Sequence, residues 1–175
     1  SGRFEDLRRV FDRLGGGDLR IQAILIAFCF GGLLEALAGF GAPVAITATM
    51  ILALGVKPLK AAITVLLANT APVAFGAVAV PITTAGDVGG KDAHVIATIV
   101  GHQAPFLAML VPLILLVILD GMKGLKDAWL PALVIGVSFA AAQWVTAATP
   151  AFNLTDVVAC IVSMGVAVIF LQFWK

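Results

Sequence analysis

Charged side chains are scarce in this sequence of 175 residues: only 12% are Asp, Glu, Lys or Arg, whereas 61% are apolar. An average soluble domain is about 25% charged and about 45 to 50% apolar. A chain with so little polar material cannot cover the surface of a water-soluble domain of this size. We therefore expect an all-α, polytopic membrane protein, because helices satisfy their own backbone hydrogen bonds inside a bilayer.

Residues that build metal, redox or hydrolytic sites are equally few. Cys29 and Cys160 are the only cysteines, form no CxxC motif and lie in apolar runs. His94 and His102 lack the accompanying ligand cluster of a metal site. We expect no metal and no cofactor. Basic patches interleaved with aromatics are absent as well, so no nucleic-acid partner is predicted. HExxH, GxSxG and paired aspartates are missing, which disfavours the alternative of an intramembrane enzyme with Glu35 and His102 as its acid/base pair.

The polar material that does occur is concentrated at the N-terminal end. Apolar residues from Phe4 to Leu14 recur at helical spacing opposite arginines and acids, and Gly15-Gly16-Gly17 follows them. This pattern predicts an amphipathic interfacial helix over residues 1–18. Residues 19–175 form the predicted membrane domain, and we expect the chain to be a segment of a longer protein.

The membrane domain contains five apolar stretches. Residues 19–54 are too long for one span of about 20 residues, and residues 59–84 form a second long run that ends in a glycine-rich turn. Three ordinary spans follow, at Ala93 to Leu119, Trp129 to Ala148 and Val157 to Phe173. Asp120 to Asp127 and Thr149 to Asp156 are predicted to be their connections.

Both long runs are interrupted before the same four residues, Ala-Pro-Val-Ala. Gly39-Phe40-Gly41 precedes the first copy and Asn69-Thr70 precedes the second. Proline favours the first turn of a helix, so Pro43 and Pro72 are each expected to start a half-helix whose N-terminus offers free N–H groups and partial positive charge. Two such ends near mid-membrane are typical of an anion site in a transporter. Simple kinks that let helices pack closely are the alternative.

The basic residues help to decide how residues 19–54 cross. If this stretch goes in and comes back, ten of the eleven lysines and arginines share one face and only Lys91 lies on the other. The positive-inside rule favours this arrangement and predicts a cytoplasmic location for that face. Residues 44–54 are too short to cross alone, since 11 helical residues span about 16 Å of a core of about 30 Å. We therefore predict a re-entrant hairpin with its tip at Gly39 to Pro43 and a split of its descending side at Gly31-Gly32.

Glu35 is the only acid within the apolar runs between residues 19 and 84. A charged group at the bilayer centre costs about 2.5 to 3.5 kcal/mol, so Glu35 is a candidate for carrying a coupled proton. A structural acid bonded to broken backbone is the alternative. His102 is a second proton-relay candidate, although a histidine bonded to a helix-end carbonyl explains it equally well. Ser138 and Gln143 are predicted to make hydrogen bonds between helices.

Three longer motifs carry a family resemblance: GGLLEALAGFGAPVAITATMILALGVKPLKAAITVLLANTAPVAFGAVAVPI at Gly31 to Ile82, GHQAPF at Gly101 to Phe106, and DGMKGLKDAWLPALVIGVSFAAAQW at Asp120 to Trp144. They closely resemble the bacterial L-lactate permease family. The resemblance implies uptake of L-lactate and related 2-hydroxy-monocarboxylates such as glycolate, with protons, across the cytoplasmic membrane. It also implies two inverted repeats, each with a re-entrant hairpin and a broken helix, of which this chain matches the first. A homo-oligomer is left open.

On that resemblance, the substrate site is expected at the hairpin tip and at the helix break. Its residues would be Gly39, Phe40, Gly41, Ala42, Pro43, Asn69, Thr70, Ala71 and Pro72. The wider superfamily usually has Ser before Asn-Thr, where this sequence has Ala68, which weakens the case for a cation held by a hydroxyl there. A sodium-coupled or exchange transporter of other carboxylates on the same scaffold is the alternative function, and a purely structural membrane subunit is a further one.

Overall fold

The computed structural model describes residues 19–39, 42–70, 75 and 77–173, together with Asp6 and Arg9. In this part of the chain every regular element is a helix and there is no strand, which confirms the all-α prediction. The predicted interfacial helix at 1–18 lies outside the described residues except for Asp6 and Arg9 and remains a prediction. The elements are α1 (Leu19–Ala38), α2 (Ala42–Ala53), α3 (Pro58–Ala68), α4 (Val80–Gly89), α5 (Ala93–Gly101), α6 (Ala104–Ala147) and α7 (Thr155–Phe173), with 3-10 turns at Ala77–Ala79 and Phe152–Leu154.

Helix α1 is the centre of the bundle. Beyond Arg20 its only strongly polar side chains are Gln22 and Glu35, and residues 21–29 are buried throughout, as expected for a helix surrounded by other helices. A π-helical stretch at Leu25–Phe30 widens its middle. The predicted split at Gly31-Gly32 is wrong, because the helix continues through both residues with helical dihedral angles at Gly31. Glycine instead allows close packing here, since a Cβ on Gly32 would lie 2.8 Å from the Sγ of Cys160 on α7.

Helices α1 and α2 form an antiparallel hairpin. Leu19 and Arg20, at the start of α1, line the same cavity as Gly55 and Val56, which follow α2. Farther along, a Cβ on Gly31 would lie 3.4 Å from the Thr47 side chain. The chain therefore reverses direction between α1 and α2, as a hairpin requires. The 12 residues of α2 span about 18 Å, short of a hydrocarbon core of about 30 Å. The depth of the hairpin tip in the membrane stays a prediction.

The predicted interruption after α3 is also present. Helix α3 ends at Ala68, Phe75 lies in a turn, and α4 begins at Val80 with Pro81 in its first turn. The expected half-helix start at Pro72 lies outside the described residues and stays a prediction. Pro81 shows the preference of proline for a first helical turn.

Helix α6 is a helical hairpin rather than one rod. Its 44 residues would extend about 66 Å if straight. Non-helical dihedral angles at Asp120, Gly121 and Ala128 fold it back on itself, and Phe106 of the first arm contacts Trp144 of the second with ring centroids 5.9 Å apart. The second arm and α7 confirm two of the predicted spans.

The third predicted span, Ala93 to Leu119, is wrong as a single helix. Helix α5 ends at Gly101, and α6 begins at Ala104 with Pro105 in its first turn. The residue before a proline is disfavoured in helical conformation, which explains a boundary at this point. A Cβ on Gly101 would contact the Cβ of Ala147, so the end of α5 packs against the end of α6 instead of continuing the first arm.

Three stretches are long and apolar enough to cross a bilayer: Leu19–Ala38, Ala104–Ala147 and Phe152–Leu171. Large apolar side chains also point outward, including Leu107, Val145 and Ile169, which are 61 to 72% exposed. An outward apolar surface of this kind suits contact with lipid tails or with further transmembrane segments. The protein is a membrane protein.

One end of the bundle carries a group of charged side chains. The Arg20 guanidinium donates to the carboxylates of Asp120 and Asp127 at 3.2 and 3.3 Å. Lys57 and Lys60 line the same cavity of about 350 Å³. These basic residues therefore share a face, as predicted from their spacing. The side of the membrane on which it lies remains a prediction.

Candidate functional site

The register between α1 and α7 determines where the buried acids meet. These helices are antiparallel: Cys29 Sγ lies 3.5 Å from Ser163 Oγ, and Gly32 packs on Cys160 one turn farther along. The next step of the same register brings residue 35 or 36 of α1 level with residue 156 of α7. Glu35 and Asp156 thus reach the same level of the bundle from opposite directions.

A buried polar cluster, consisting of Glu35, Asn69, Gln143 and Asp156, occupies this level. The four residues come from α1, the end of α3, the second arm of α6 and the first turn of α7, and each is between 0 and 7% exposed. The Asn69 side chain lies beside the Glu35 carboxylate, and Gln143 Nε2 donates to Asp156 Oδ1 at 3.1 Å. The two carboxyl groups are close enough to repel each other when both are charged. Four separate segments therefore converge on one site.

Three oxygen atoms of the buried polar cluster have no hydrogen-bond partner among the described residues: Glu35 Oε2, Asp156 Oδ2 and Gln143 Oε1. All three are acceptors. No lysine or arginine occurs in α1 after Arg20, in the second arm of α6 or in α7, so these helices supply no cation. Buried carboxylates without a positive partner are costly. The cluster accordingly needs hydrogen-bond donors or positive charge.

Gly39 and the start of α2 lie at the level of this cluster. Gly31 of α1 lies level with Thr47 of α2. Because the two helices are antiparallel, counting five residues forward on α1 and five back on α2 places residues 35–36 level with the start of α2. Gly39 has φ 83°, and its N–H donates to the carbonyl oxygen of Glu35 at 3.0 Å. A helix N-terminus carries partial positive charge. The start of α2 therefore faces the level at which the two acids lie.

Strained backbone borders the cluster on another side. Val78 and Ala79 both adopt left-handed conformations, with φ 50° and 59°, in the 3-10 turn that packs against residues 31–38 and α7. A β-branched residue in this region is an outlier, and such strain costs about 1 to 3 kcal/mol per residue. It persists where the surrounding structure fixes the backbone, and it often marks functional segments.

This strain leads to a stability prediction. Replacing Val78, whose side chain is 43% exposed, by glycine is expected to raise the free energy of unfolding by up to about 1 kcal/mol, because glycine adopts φ > 0 without penalty. Val80→Gly, two residues on within α4, is the matched control and is expected to destabilise by a few tenths of a kcal/mol or more. Thermal unfolding in detergent measures both, and equal destabilisation by the two changes would contradict the strain.

Comparison with known proteins decides the family. A family model described as L-lactate permease matches residues 1–175. The chain belongs to the L-lactate permease family. The glycolate permease GlcA of Escherichia coli (strain K12) is 47% identical over 175 residues, which is 100% of this chain and 31% of that protein. The L-lactate permeases of Bacillus subtilis (strain 168) and Escherichia coli (strain K12) are 48% and 45% identical over 158 residues, 90% of this chain.

The chain spans about a third of the length of these curated relatives, since it covers 28 to 31% of each. No solved structure matches it. The resemblance found in the motifs is confirmed.

Within this permease segment, the predicted site residues are only partly described. Phe40, Gly41, Ala71 and Pro72 lie outside the described residues. Gly39 ends α1, and Ala42 and Pro43 begin α2. Asn69 joins the buried polar cluster, whereas Thr70 is exposed and its hydroxyl donates to the Leu67 carbonyl oxygen at 2.6 Å.

His102 lies apart from Glu35 in the permease segment. It is exposed, and its ring contacts the ring of Trp144 with centroids 4.1 Å apart. No hydrogen bond or ion pair joins it to the buried polar cluster in the described part of the chain. The acid/base pair required by the enzyme alternative is therefore not formed here.

Sequence reasoning missed Asp156. It was predicted to lie in a connection, but it is 2% exposed and belongs to the first turn of α7. One signal was available: Asp156 is the only acid after residue 127, and a long run that is apolar except for Ser163 follows it. Gln143 makes the predicted hydrogen bond between helices, and its partner is this aspartate.

Proposed function

We propose that this chain is part of a secondary transporter that takes up L-lactate and related 2-hydroxy-monocarboxylates, such as glycolate, across the bacterial cytoplasmic membrane by proton symport. The names of the relatives, L-lactate permease and glycolate permease, support the substrate class. The single observation that carries the coupling is the buried polar cluster, in which two acids lie in apolar helices without a cation from α1 beyond Arg20, the second arm of α6 or α7. A group that must bind and release protons suits such a place.

The proposed substrate site combines the hairpin tip with the helix break. Its residues are Gly39, Phe40, Gly41, Ala42, Pro43, Asn69, Thr70, Ala71 and Pro72. The N-terminus of α2 would attract the substrate carboxylate, and the Asn69 amide would hydrogen-bond it or hold Glu35 beside it. Glu35, rather than His102, would carry the coupled proton, because Glu35 is buried at the cluster and His102 is exposed on Trp144.

The rest of the binding site would come from the second repeat of the complete permease. Movement of the α1–α2 hairpin against α6 and α7 would then open the site to either side in turn. The basic face with Arg20, Lys57 and Lys60 would lie in the cytoplasm. The complete permease could also form a homo-oligomer.

A sodium-coupled transporter on the same scaffold is the second candidate. Carboxylate and amide oxygens are ligands that hard cations prefer, and the three unpaired oxygens of the buried polar cluster are of these types. This observation makes the choice of coupling ion the first thing to measure.

Uptake of labelled L-lactate by the complete permease in vesicles tests the proposal. An inside-alkaline pH gradient is expected to drive accumulation, and a sodium gradient alone is not. Glycolate is expected to compete with lactate, whereas succinate, a dicarboxylate, is not. Uptake that follows sodium and ignores pH would favour the second candidate, and uptake indifferent to both gradients would contradict symport.

A further inference from the structure

Asp156 is the buried acid to which the motifs and the proposed function assign no role of its own, since Glu35 is the proposed proton carrier. Its Oδ1 accepts from Gln143, while its Oδ2 and the fully buried Gln143 Oε1 have no partner among the described residues. An unpartnered amide oxygen beside an unpartnered carboxylate oxygen is not explained by packing, because each buried acceptor without a donor costs about 1 to 3 kcal/mol. The site is built to receive a hydrogen-bond donor.

We propose that Asp156 is the second proton-binding carboxyl group of the coupling site, and that it and Glu35 act as one pair which takes up and releases the transported proton. This proposal rests on the proposed function and extends it to a residue on α7. In the transport step, one proton binds to a carboxylate oxygen of the pair from one side of the membrane and leaves to the other side. Only an O–H bond forms and breaks, and the proton's charge offsets that of the substrate carboxylate.

A proton fits the pair better than a monovalent metal cation does. Two carboxylates carry a charge of −2, so one bound sodium ion leaves a buried negative charge, whereas protons can neutralise both groups. A protonated carboxyl group is also a hydrogen-bond donor, which is what the three unpaired oxygens lack. The same donor would link α1, α6 and α7 through Glu35, Gln143 and Asp156.

The groups that face Asp156 leave little else to titrate. Glu35 faces it from α1, Gln143 from α6 is neutral, and the Ala77–Ala79 turn has no ionisable side chain. On its own helix the neighbouring group is Cys160. Two more ionisable groups lie on elements that pack near Asp156. One is Cys29 on α1, and the other is His94, whose ring contacts Phe152 in the turn before α7.

Separate assays of net uptake and of exchange test the assignment. In liposomes that contain the complete permease, Asp156→Asn is expected to lower pH-driven uptake of L-lactate by about tenfold or more while lactate–lactate exchange stays within about twofold of the wild type, because exchange needs no net proton movement. Asp156→Glu is expected to recover part of the uptake. Asp127→Asn, at an exposed aspartate on the opposite end, is the matched control and should change neither assay.

Three results would overturn the assignment. The first is pH-driven uptake that survives in Asp156→Asn. The second is equal loss of uptake and exchange that Asp156→Glu does not restore, since this would make Asp156 structural. The third is wild-type uptake whose sodium dependence disappears in Asp156→Asn, since the pair would then hold a metal cation.

A stability measurement separates failure of this proposal from failure of the proposed function. If the wild type moves no labelled lactate, the function fails on that result alone. The pair is then tested by Tm between about pH 5 and pH 8, where linkage predicts a decrease for the wild type as two unpaired buried acids lose their protons. Asp156→Asn is expected to flatten this decrease, and an unchanged slope would overturn the pair.

Discussion

Replacing Glu35 by Gln is expected to lower pH-driven L-lactate uptake by about a hundredfold, the lower end of what a positioned proton-transfer group contributes. Glutamine matches glutamate in shape and can still contact the Asn69 side chain, but it cannot bind and release a proton as a carboxyl group does. Initial rates of labelled lactate uptake in liposomes under an inside-alkaline gradient measure the effect. Lactate–lactate exchange is expected to persist, because the proton need not leave during exchange.

The stability of Glu35→Gln distinguishes loss of coupling from loss of folding. Removing a buried charge that has no positive partner is expected to leave Tm unchanged or to raise it. Asp87→Asn, at an exposed acid on α4, is the matched control for uptake and should behave as the wild type. Retained pH-driven uptake in Glu35→Gln would remove Glu35 from the mechanism, and a marked decrease in its Tm would assign Glu35 to holding the hairpin.

Replacing Gly136 by Ala is expected to destabilise the fold by about 3 kcal/mol, the upper end of the usual cost of overpacking. Gly136 lies where the second arm of α6 packs on the first, and a Cβ there would overlap the carbonyl oxygen of Met109. A backbone carbonyl cannot rotate away as a flexible side chain can, so the arms must separate. Thermal or denaturant unfolding in detergent measures the loss.

Gly165→Ala is the matched control for this change. Gly165 lies inside α7, and no atom lies within 4 Å of the position of its Cβ. Because alanine is a better helix former than glycine by about 1 kcal/mol, this variant is expected to be as stable as the wild type or slightly more stable. Equal destabilisation at both positions would contradict the close approach of the arms.

The parts of the fold that follow from local chemistry could be predicted. Glycine and proline around residues 39–43 predict the α1–α2 turn, and Asn69-Thr70 predicts the end of α3. The antiparallel return of the chain follows from the positions of Lys57 and Lys60, which share a face with Arg20 as the charge pattern requires. Each of these features depends on residues that are close in sequence or on charges that avoid lipid.

The pairing of α1 with α7 could not be predicted, because both helices are apolar on nearly all sides. A helix without a polar face gives no indication of which side meets which neighbour. Gly31-Gly32 was therefore interpreted as a break, although Gly32 serves close packing against Cys160. Asp156 was assigned to a loop for the same reason, since its burial depends on contacts that α7 makes with distant segments.

The start of α4 depends on packing as well as on local sequence. Pro81 satisfies the rule for a first helical turn, but the left-handed conformations of Val78 and Ala79 just before α4 have no signal in the sequence. The Ala77–Ala79 turn packs on α1 and α7, and sequence alone does not contain that packing.

The most direct test is to follow proton and lactate together. The complete permease is reconstituted in liposomes with a pH-sensitive dye inside, the membrane potential is clamped, and L-lactate is added outside, with protein-free liposomes as the control for passive entry of lactic acid. We expect the interior to acidify in step with the entry of labelled lactate, and Glu35→Gln and Asp156→Asn to remove this acidification. Protein-mediated lactate entry without acidification would contradict proton coupling at the buried polar cluster.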